Sequence, residues 1–532
     1  MKREHFTGTF KLLRLYLRRD RFILLIWVLL SAMVINGQVS FVKSMPDWQF
    51  YIEELSNSPL TSALLGPVVP LNMEGAIMWR GLLQASITVM LGAAITVIRH
   101  TRTEESTGRN ELLLSKPVGP YANLSAALII AFIGSIISGI LVAGLLIGLG
   151  FGSAGSILVG LTLAASGLMF AGIGGLCAQI FSQSGAARGA IFGAYGLTMV
   201  TMVANNMGGG GTIWAWLAPE AWFRITVPYG DNNYWPIIVF LLISAMPLSL
   251  SYRLLDRRDM GSGIVPQKEG RPAAVPWLNS PLAMAWNQHR YKILIWAIAM
   301  AYLGGLMGYG TPNISESISE TFSQMNTWSL AVAKLGNQES FMAVLIYILG
   351  LMGGLSVYGI TSVQRMREEE KEDYAEMVLS KPVSRFGWMG SNLVIAFVGS
   401  IIILLSLGLA SGIGWSIASG DSSHILRVLL MSISKIPSVW AIIGLAALLY
   451  GWLPRLGVFL NWLILAGFIF VEMLWEAGIV GWSALKMTPF AYSHYSIPIG
   501  EIHVLPLIVL TAIAAALVGL GILGFNRREI GH

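Results

Sequence analysis

Along this chain apolar residues gather in long runs divided by short polar stretches. A run of roughly 20 apolar residues is long enough to cross a bilayer as a helix. The pattern predicts six spans in the first part of the chain, at about 22–42, 76–98, 121–150, 155–180, 189–205 and 236–254. Six more are expected at about 290–309, 341–363, 386–416, 425–450, 457–475 and 504–525. Residues 1–21 are basic and amphipathic, with Phe6, Phe10, Leu13 and Leu17 on one helical face and Lys11, Arg14 and Arg18 on the other. That pattern predicts a helix lying in the membrane interface ahead of the first span. The apolar run Phe22–Val34 is not read as a signal peptide, because no convincing small-residue cleavage site follows it. Spans three and four are rich in Gly and Ala, which let transmembrane helices approach closely. Gly208 to Gly211 break any helix, and the neighbouring Trp214, Trp216 and Trp222 suit a membrane–water interface. Residues 205–235 therefore read as an outer-leaflet segment of short or re-entrant helices.

The polar stretches repeat. Arg102–Val118 reads RTEESTGRNELLLSKPV, and Arg367–Arg385 reads REEEKEDYAEMVLSKPVSR. Glu104, Glu105 and Glu111 stand 265 residues before Glu369, Glu370 and Glu376, and Ser115-Lys116-Pro117-Val118 recurs at the same offset as Ser380-Lys381-Pro382-Val383. Ile130–Ser135 matches Ile395–Ser400, Pro219 matches Pro489, and the end of the first part, Arg257-Arg258, matches Arg527-Arg528. The expectation is a first six-span half at 1–259, a polar Pro- and Gly-containing cytoplasmic linker at 260–280, and a second six-span half at 281–532. An even number of spans gives both halves one orientation, about an axis along the membrane normal, and parallel repeats of this kind occur in transporters. The expected class is an all-α polytopic membrane protein of about twelve transmembrane helices in two parallel six-helix repeats. Asn279 or Ser280 can cap the helix that opens the second half, with Pro281 in its first turn. Asp231 and Glu501, beside Pro236 and Pro506, are expected to cap the last span of each half.

Composition agrees with the hydropathy pattern. Of 532 residues, 55% are hydrophobic and 12% charged, where a soluble protein carries about 25% charged residues. Lys and Arg number 34 against 28 Asp and Glu. The basic residues gather at 2–21, 99–116, 253–290, 365–385 and 527–528, all on one side of the expected topology. The bias of Lys and Arg to the cytoplasmic side puts both termini on the cytoplasmic side of the membrane. The excess charge is thus topology rather than nucleic-acid binding. Cys177 is the single cysteine, which excludes an intrachain disulfide, a multi-cysteine metal site and a CxxC redox pair; it reads as packing.

A single charge run is usually a solvated loop. Two copies at one place in two hydrophobic halves point to equivalent docking points for a soluble, two-fold symmetric partner. Glu105, Gly108, Glu111, Leu113, Leu114, Pro117 and Val118 spell E-x-x-G-x-x-E-x-L-L-x-x-P-V, which resembles the coupling helix of type-two ABC exporter permeases. The second copy departs from the pattern at Asp373, which stands where Gly108 does. The double-length chain resembles the permeases of polyketide-antibiotic exporters of the tetronasin kind. The resemblance implies a type-two ABC exporter fold and two copies of a soluble ATPase subunit that bind ATP and magnesium. Coupling would then run through Arg102, Glu104, Glu105, Glu111, Lys116 and Pro117, and through Arg367, Glu369, Glu370, Glu376, Lys381 and Pro382. It also implies a hydrophobic or amphipathic antibiotic or drug-like cargo, taken from the surrounding membrane lipid.

No cofactor or metal is expected in the chain itself. It contains no G-x-x-x-x-G-K-[ST] phosphate loop. No HExxH, GxSxG or histidine cluster occurs either, so an enzyme within the membrane is not the expectation. Charges at membrane depth are candidates for function. Arg80, Glu472 and Glu476 either form an outer vestibule on the substrate path or make an internal Arg–Glu pair or water-reaching carboxylates. The function expected is export of hydrophobic or amphipathic compounds. The alternatives are export of a lipid, peptide or cell-wall precursor, and a receptor or anchor that carries nothing.

Overall fold

The computed structural model describes residues 4–43, 48–49, 52–53, 62, 65–108, 117–259, 261–265, 275–322, 337–476, 480–494 and 504–529. Among them the secondary structure is helical apart from one isolated bridge between Phe181 and Val265. Among the described residues twelve helices are long and apolar enough to cross a membrane: α1 Thr9–Lys43, α2 Met73–Ser106, α3 Ala122–Gly148, α4 Ser153–Ile180, α5 Ser184–Met207, α6 Pro236–Leu255, α7 Pro281–Pro312, α8 Gln338–Lys371, α9 Arg385–Ser419, α10 Ser423–Trp452, α11 Gly457–Trp475 and α12 Val504–Arg527. Each falls on one of the twelve apolar runs. The chain forms two compact units, Met1–Gly270 and Arg271–His532.

In unit one, α4 packs against α2, α3 and α6, while α1 lies on α2 and α3. Small residues set these distances. A methyl group added at Gly139 on α3 would strike the backbone of Gly160 on α4, and one at Gly160 would strike Gly139. Unit two repeats the arrangement: α9 packs on α7, α8 and α10, and α10 on α12. There Gly451 and Gly521 bring α10 and α12 into the same close approach.

Three local expectations change. The amphipathic start is not a separate interface helix, because α1 begins at Thr9 and runs unbroken into the span. Its buried face carries Leu12, Tyr16 and Asp20, and Phe10 and Leu17 of the expected apolar face point outward. Trp222 is no interface anchor; it is fully buried and stacked on Phe240 at 4.0 Å. Asp231 does not cap α6, whose N-cap is Trp235 with no side-chain bond; Glu501 lies outside the described residues. At the start of α7, by contrast, the Ala283 amide donates to Ser280 Oγ at 3.2 Å. The tetraglycine ends α5 at Met207 and leads into the short 3-10 helices Ile213–Leu217 and Pro219–Ala221.

Candidate functional site

The residues of the acidic repeats do two different things. In unit one the last turns of α2 widen into a π-helical turn at Arg99–Thr103, and His100, Thr101 and Arg102 are buried there. Arg102 Nη1 meets the Glu105 carboxylate at 2.9 Å, and Arg258 forks onto the same carboxylate at 2.8 and 3.0 Å. The Gly261 amide adds a third donor at 3.0 Å. Arg102 also donates to the carbonyls of Ala178 at 3.0 Å and Ser262 at 2.7 Å, so α2, α4 and the chain after α6 are tied at one point. Glu104 turns the other way and pairs with Arg19 on α1. Behind it, Asp20 pairs with His100 at 2.7 Å and Arg99 at 3.2 Å.

Unit two has the same clamp. Glu370 is bound by Arg367 at 2.9 Å, Arg528 at 2.5 Å and the Tyr450 hydroxyl at 2.7 Å. Arg528 lies over the Tyr450 and Phe525 rings, 4.9 and 5.0 Å from their centroids. Glu369 is buried, with Arg365 at 3.6 Å. Bidentate and charge-assisted bonds of this kind are the strong ones, and removing one partner leaves a buried charge uncompensated. Arg102, Glu104, Glu105, Arg367, Glu369 and Glu370 therefore face into their own unit, not outward as the sequence pattern suggests. A charge run read in one dimension does not show which carboxylates a distant arginine claims. The signal was present in the recurrence of Arg258 as Arg528, the last basic residues of each half.

Beyond each clamp the chain breaks in the left-handed region, at Gly108 with φ 71° and at Asp373 with φ 60°. Asp is one of the few side chains that visits this region, so the substitution of Gly by Asp keeps the turn. After Asp373 comes the short helix Tyr374–Leu379. Ala375 is buried, and Val378, Leu379 and Val383 rest on the unit-two core. Tyr374 and Met377 stand 53% and 65% exposed, beside exposed Glu376, Lys381 and Pro382. In the first copy Pro117 is exposed, and Arg109, Glu111 and Lys116 lie outside the described residues.

At the opposite end of unit two, Glu472 on α11 is buried. It accepts from the Tyr347 hydroxyl at 2.8 Å and meets His494 Nε2 at 2.6 Å. Trp475 and Trp482 stand edge-on to His494. Lys435, at the break between the two segments of α10, donates to the Ser493 carbonyl. Glu472 is thus an internally paired carboxylate. The sequence marked Glu472 but not its partners, because Tyr347 and His494 come from distant stretches. The Glu476 side chain lies outside the described residues; Arg80 sits half-buried on α2.

The corresponding end of unit one holds a different group. Ser166 on α4 donates to the Pro219 carbonyl at 2.8 Å, as Ser438 on α10 does to the Pro489 carbonyl at 2.9 Å. Glu220, the next residue, is fully buried, and burial pushes its carboxyl up to about 7 against the pull of Thr198 and Arg224. Arg224 is held below its usual range, at about 10, by burial, with Glu220 opposing. Its Nη1 donates to Asn206 Oδ1 at 3.3 Å. Beside it is a cavity of about 350 Å³ under the glycine loop, lined by Met202, Asn205, Trp216, Arg224 and Ile225 among others.

Comparison with known proteins decides the family. The family model described as the C-terminal domain of the multidrug efflux system permease Rv1217c matches residues 278–526. The chain is 32% identical over 536 residues to the multidrug efflux system permease protein Rv1217c of Mycobacterium tuberculosis, an alignment covering 99% of this chain and 96% of that protein. This chain belongs to the multidrug efflux system permease family. The match to the family model takes in Glu370, Arg367 and Tyr450 of the unit-two clamp, though not Arg528, together with the helix Tyr374–Leu379 and the Glu472 cluster of this permease. The full-length match extends the relationship over both units.

Proposed function

We propose that this permease is the membrane-spanning part of an ATP-driven exporter of the type-two ABC class, moving hydrophobic or amphipathic drug-like compounds, polyketide antibiotics among them, out of a prokaryotic cell. ATP and magnesium are bound by a separate soluble ATPase, present in two copies, one for each acidic repeat. The observation that carries this reading is the helix Tyr374–Leu379, which exposes Tyr374, Glu376 and Met377 at the end of α8. Two apolar side chains flanking a carboxylate suit a cleft in a folded partner rather than bulk water. The docking contacts are assigned to Glu376, Met377, Lys381 and Pro382, with Glu111, Lys116 and Pro117 as their counterparts. The clamps built on Glu105 and Glu370 hold these segments to the spans.

In this mechanism the clamped ends face the cytoplasm, with both termini inside. Closure of the ATPase dimer pushes the two docking segments. The push passes along α2 and α8, each 34 residues long and hence about 50 Å at 1.5 Å per residue. α8 links the docking helix to Tyr347 in the Glu472 cluster, so one helical element, widened to a π-helical turn at Ile348–Met352, runs between the two ends of unit two.

The test is the double variant Glu376→Lys, Met377→Asp. It is expected to insert and melt as the parent does while losing at least about tenfold in ATP-dependent efflux of a fluorescent drug, a coupling loss of about 1.4 kcal/mol or more. Undiminished efflux would end the docking assignment.

A further inference from the structure

We propose that the unit-one cavity beneath the glycine loop is a binding site for an amphipathic organic anion, an acidic oxygen group on an apolar body, with Arg224 as the anchoring cation. Arg224 lines the cavity. Its Nε and Nη2 atoms are buried and have no hydrogen-bond partner among the described residues. Glu220 lies one turn earlier and acts on Arg224 only through its charge: among the described residues neither of its oxygens makes a hydrogen bond with the guanidinium. Buried guanidinium donors are as a rule paired, and this fork is shaped for a carboxylate or a similar oxyanion. The rest of the wall is mainly apolar, with Val69, Met202, Trp216 and Ile225. An apolar wall with a few convergent polar groups is the usual form of a small-molecule site, and about 350 Å³ lies within the size range of such sites. Gly209, Gly210 and Gly211, at φ 82°, 82° and 69°, form the roof in a conformation other residues rarely adopt.

The second unit shows what such a position takes. At the 270-residue offset of Pro219 and Pro489, Arg224 corresponds to His494 and Met202 to Glu472. In unit two the carboxylate comes from within, and Glu472 meets His494 at 2.6 Å. In unit one Met202 replaces that carboxylate, and Arg224 stands in the cavity wall with two buried donors unpaired. The repeat thus fills one site with its own anion and leaves the other to receive one. This inference concerns binding to the permease alone and stands apart from the ATP-driven reading.

The experiment is equilibrium binding of 2-naphthoate to the full chain in phosphatidylcholine nanodiscs by calorimetry, with 2-naphthalenemethanol and 2-naphthylmethylamine as neutral and cationic probes. Binding of 2-naphthoate at least tenfold tighter than either is expected. Arg224→Gln should lose that preference. Met202→Glu, which supplies the internal carboxylate of unit two, should lose it too while leaving the melting temperature unchanged or raised. Equal binding of the three probes, or an unchanged preference in Met202→Glu, would overturn the proposal. Displacement of 2-naphthoate when phosphatidylglycerol is included in the discs would overturn a soluble anion as the occupant and assign the site to an anionic lipid.

Discussion

Replacing Arg528 by Met tests the unit-two clamp most sharply. Glu370 is wholly buried, and Arg528 is 13% exposed, so solvent screens the pair little. Breaking a buried ion pair by removing one partner costs about 3–5 kcal/mol. Arg367 and Tyr450 remain on the carboxylate, which holds the loss to the lower end, while the lost contacts to the Tyr450 and Phe525 rings add about 0.5–1 kcal/mol. Arg528→Met should therefore cost about 3 kcal/mol. Glu370→Gln should cost a similar amount, because it strands two cations at once. Together the two should cost clearly less than their sum, with a coupling of about 2 kcal/mol, since residues in one ion-pair network are not additive. The assay is denaturant unfolding of the permease in nanodiscs, followed by tryptophan fluorescence for the parent, both single variants and the double. Single losses below about 0.5 kcal/mol that simply add would show that the clamp is ornamental, and α8 would then lose its proposed grip on the docking helix. The matching pair Arg258→Met and Glu105→Gln in unit one is expected to behave alike.

Further predictions concern packing, pH and accessibility. Gly160→Leu forces α3 from α4 where each glycine meets the other's backbone, and an overpacked core of this kind should lose about 1–3 kcal/mol or more, read as a lower melting temperature; an unchanged one would refute the close approach. Glu220 is raised to about 7 from an ordinary 4.5, so the folded state holds its proton more tightly than the unfolded one. Its contribution is full below about pH 4.5 and is lost as pH rises through 7, a change of about 3 kcal/mol. Glu220→Gln should flatten that slope in melts taken from pH 4.5 to 8, and a parallel slope would contradict it. Cys177 is buried, so the folded parent should resist maleimide, whereas Met377→Cys should label quickly and be shielded once the ATPase is bound.

Much of the fold was legible because a bilayer demands long apolar helices, and each of the twelve spans announces itself in hydropathy. Breaks with a local cause were legible too: the tetraglycine after α5, and Ser280 with Pro281 before α7. The segment before the first span misled because amphipathicity names an apolar face without saying what covers it. Leu12 and Tyr16 pack on α3, and the Phe10 side points outward. The acidic repeats were found, but their inner carboxylates were given the wrong direction. Glu105 and Glu370 meet Arg258 and Arg528, about 150 residues further along the chain, and no local pattern carries that pairing. The same holds for Glu472 with Tyr347, and for Arg224, whose importance rests on what Met202 does not supply.

The central claim is that this permease is driven through its two acidic repeats by a soluble ATPase. The direct measurement is native mass spectrometry of the full chain purified in mild detergent from its own host, compared with the Glu376→Lys, Met377→Asp variant. The account predicts an ATPase lacking membrane spans at two copies per chain, with binding weakened in the variant. A chain that carries no ATPase after cross-linking at native expression, or one that binds the ATPase equally well in the variant, would contradict it.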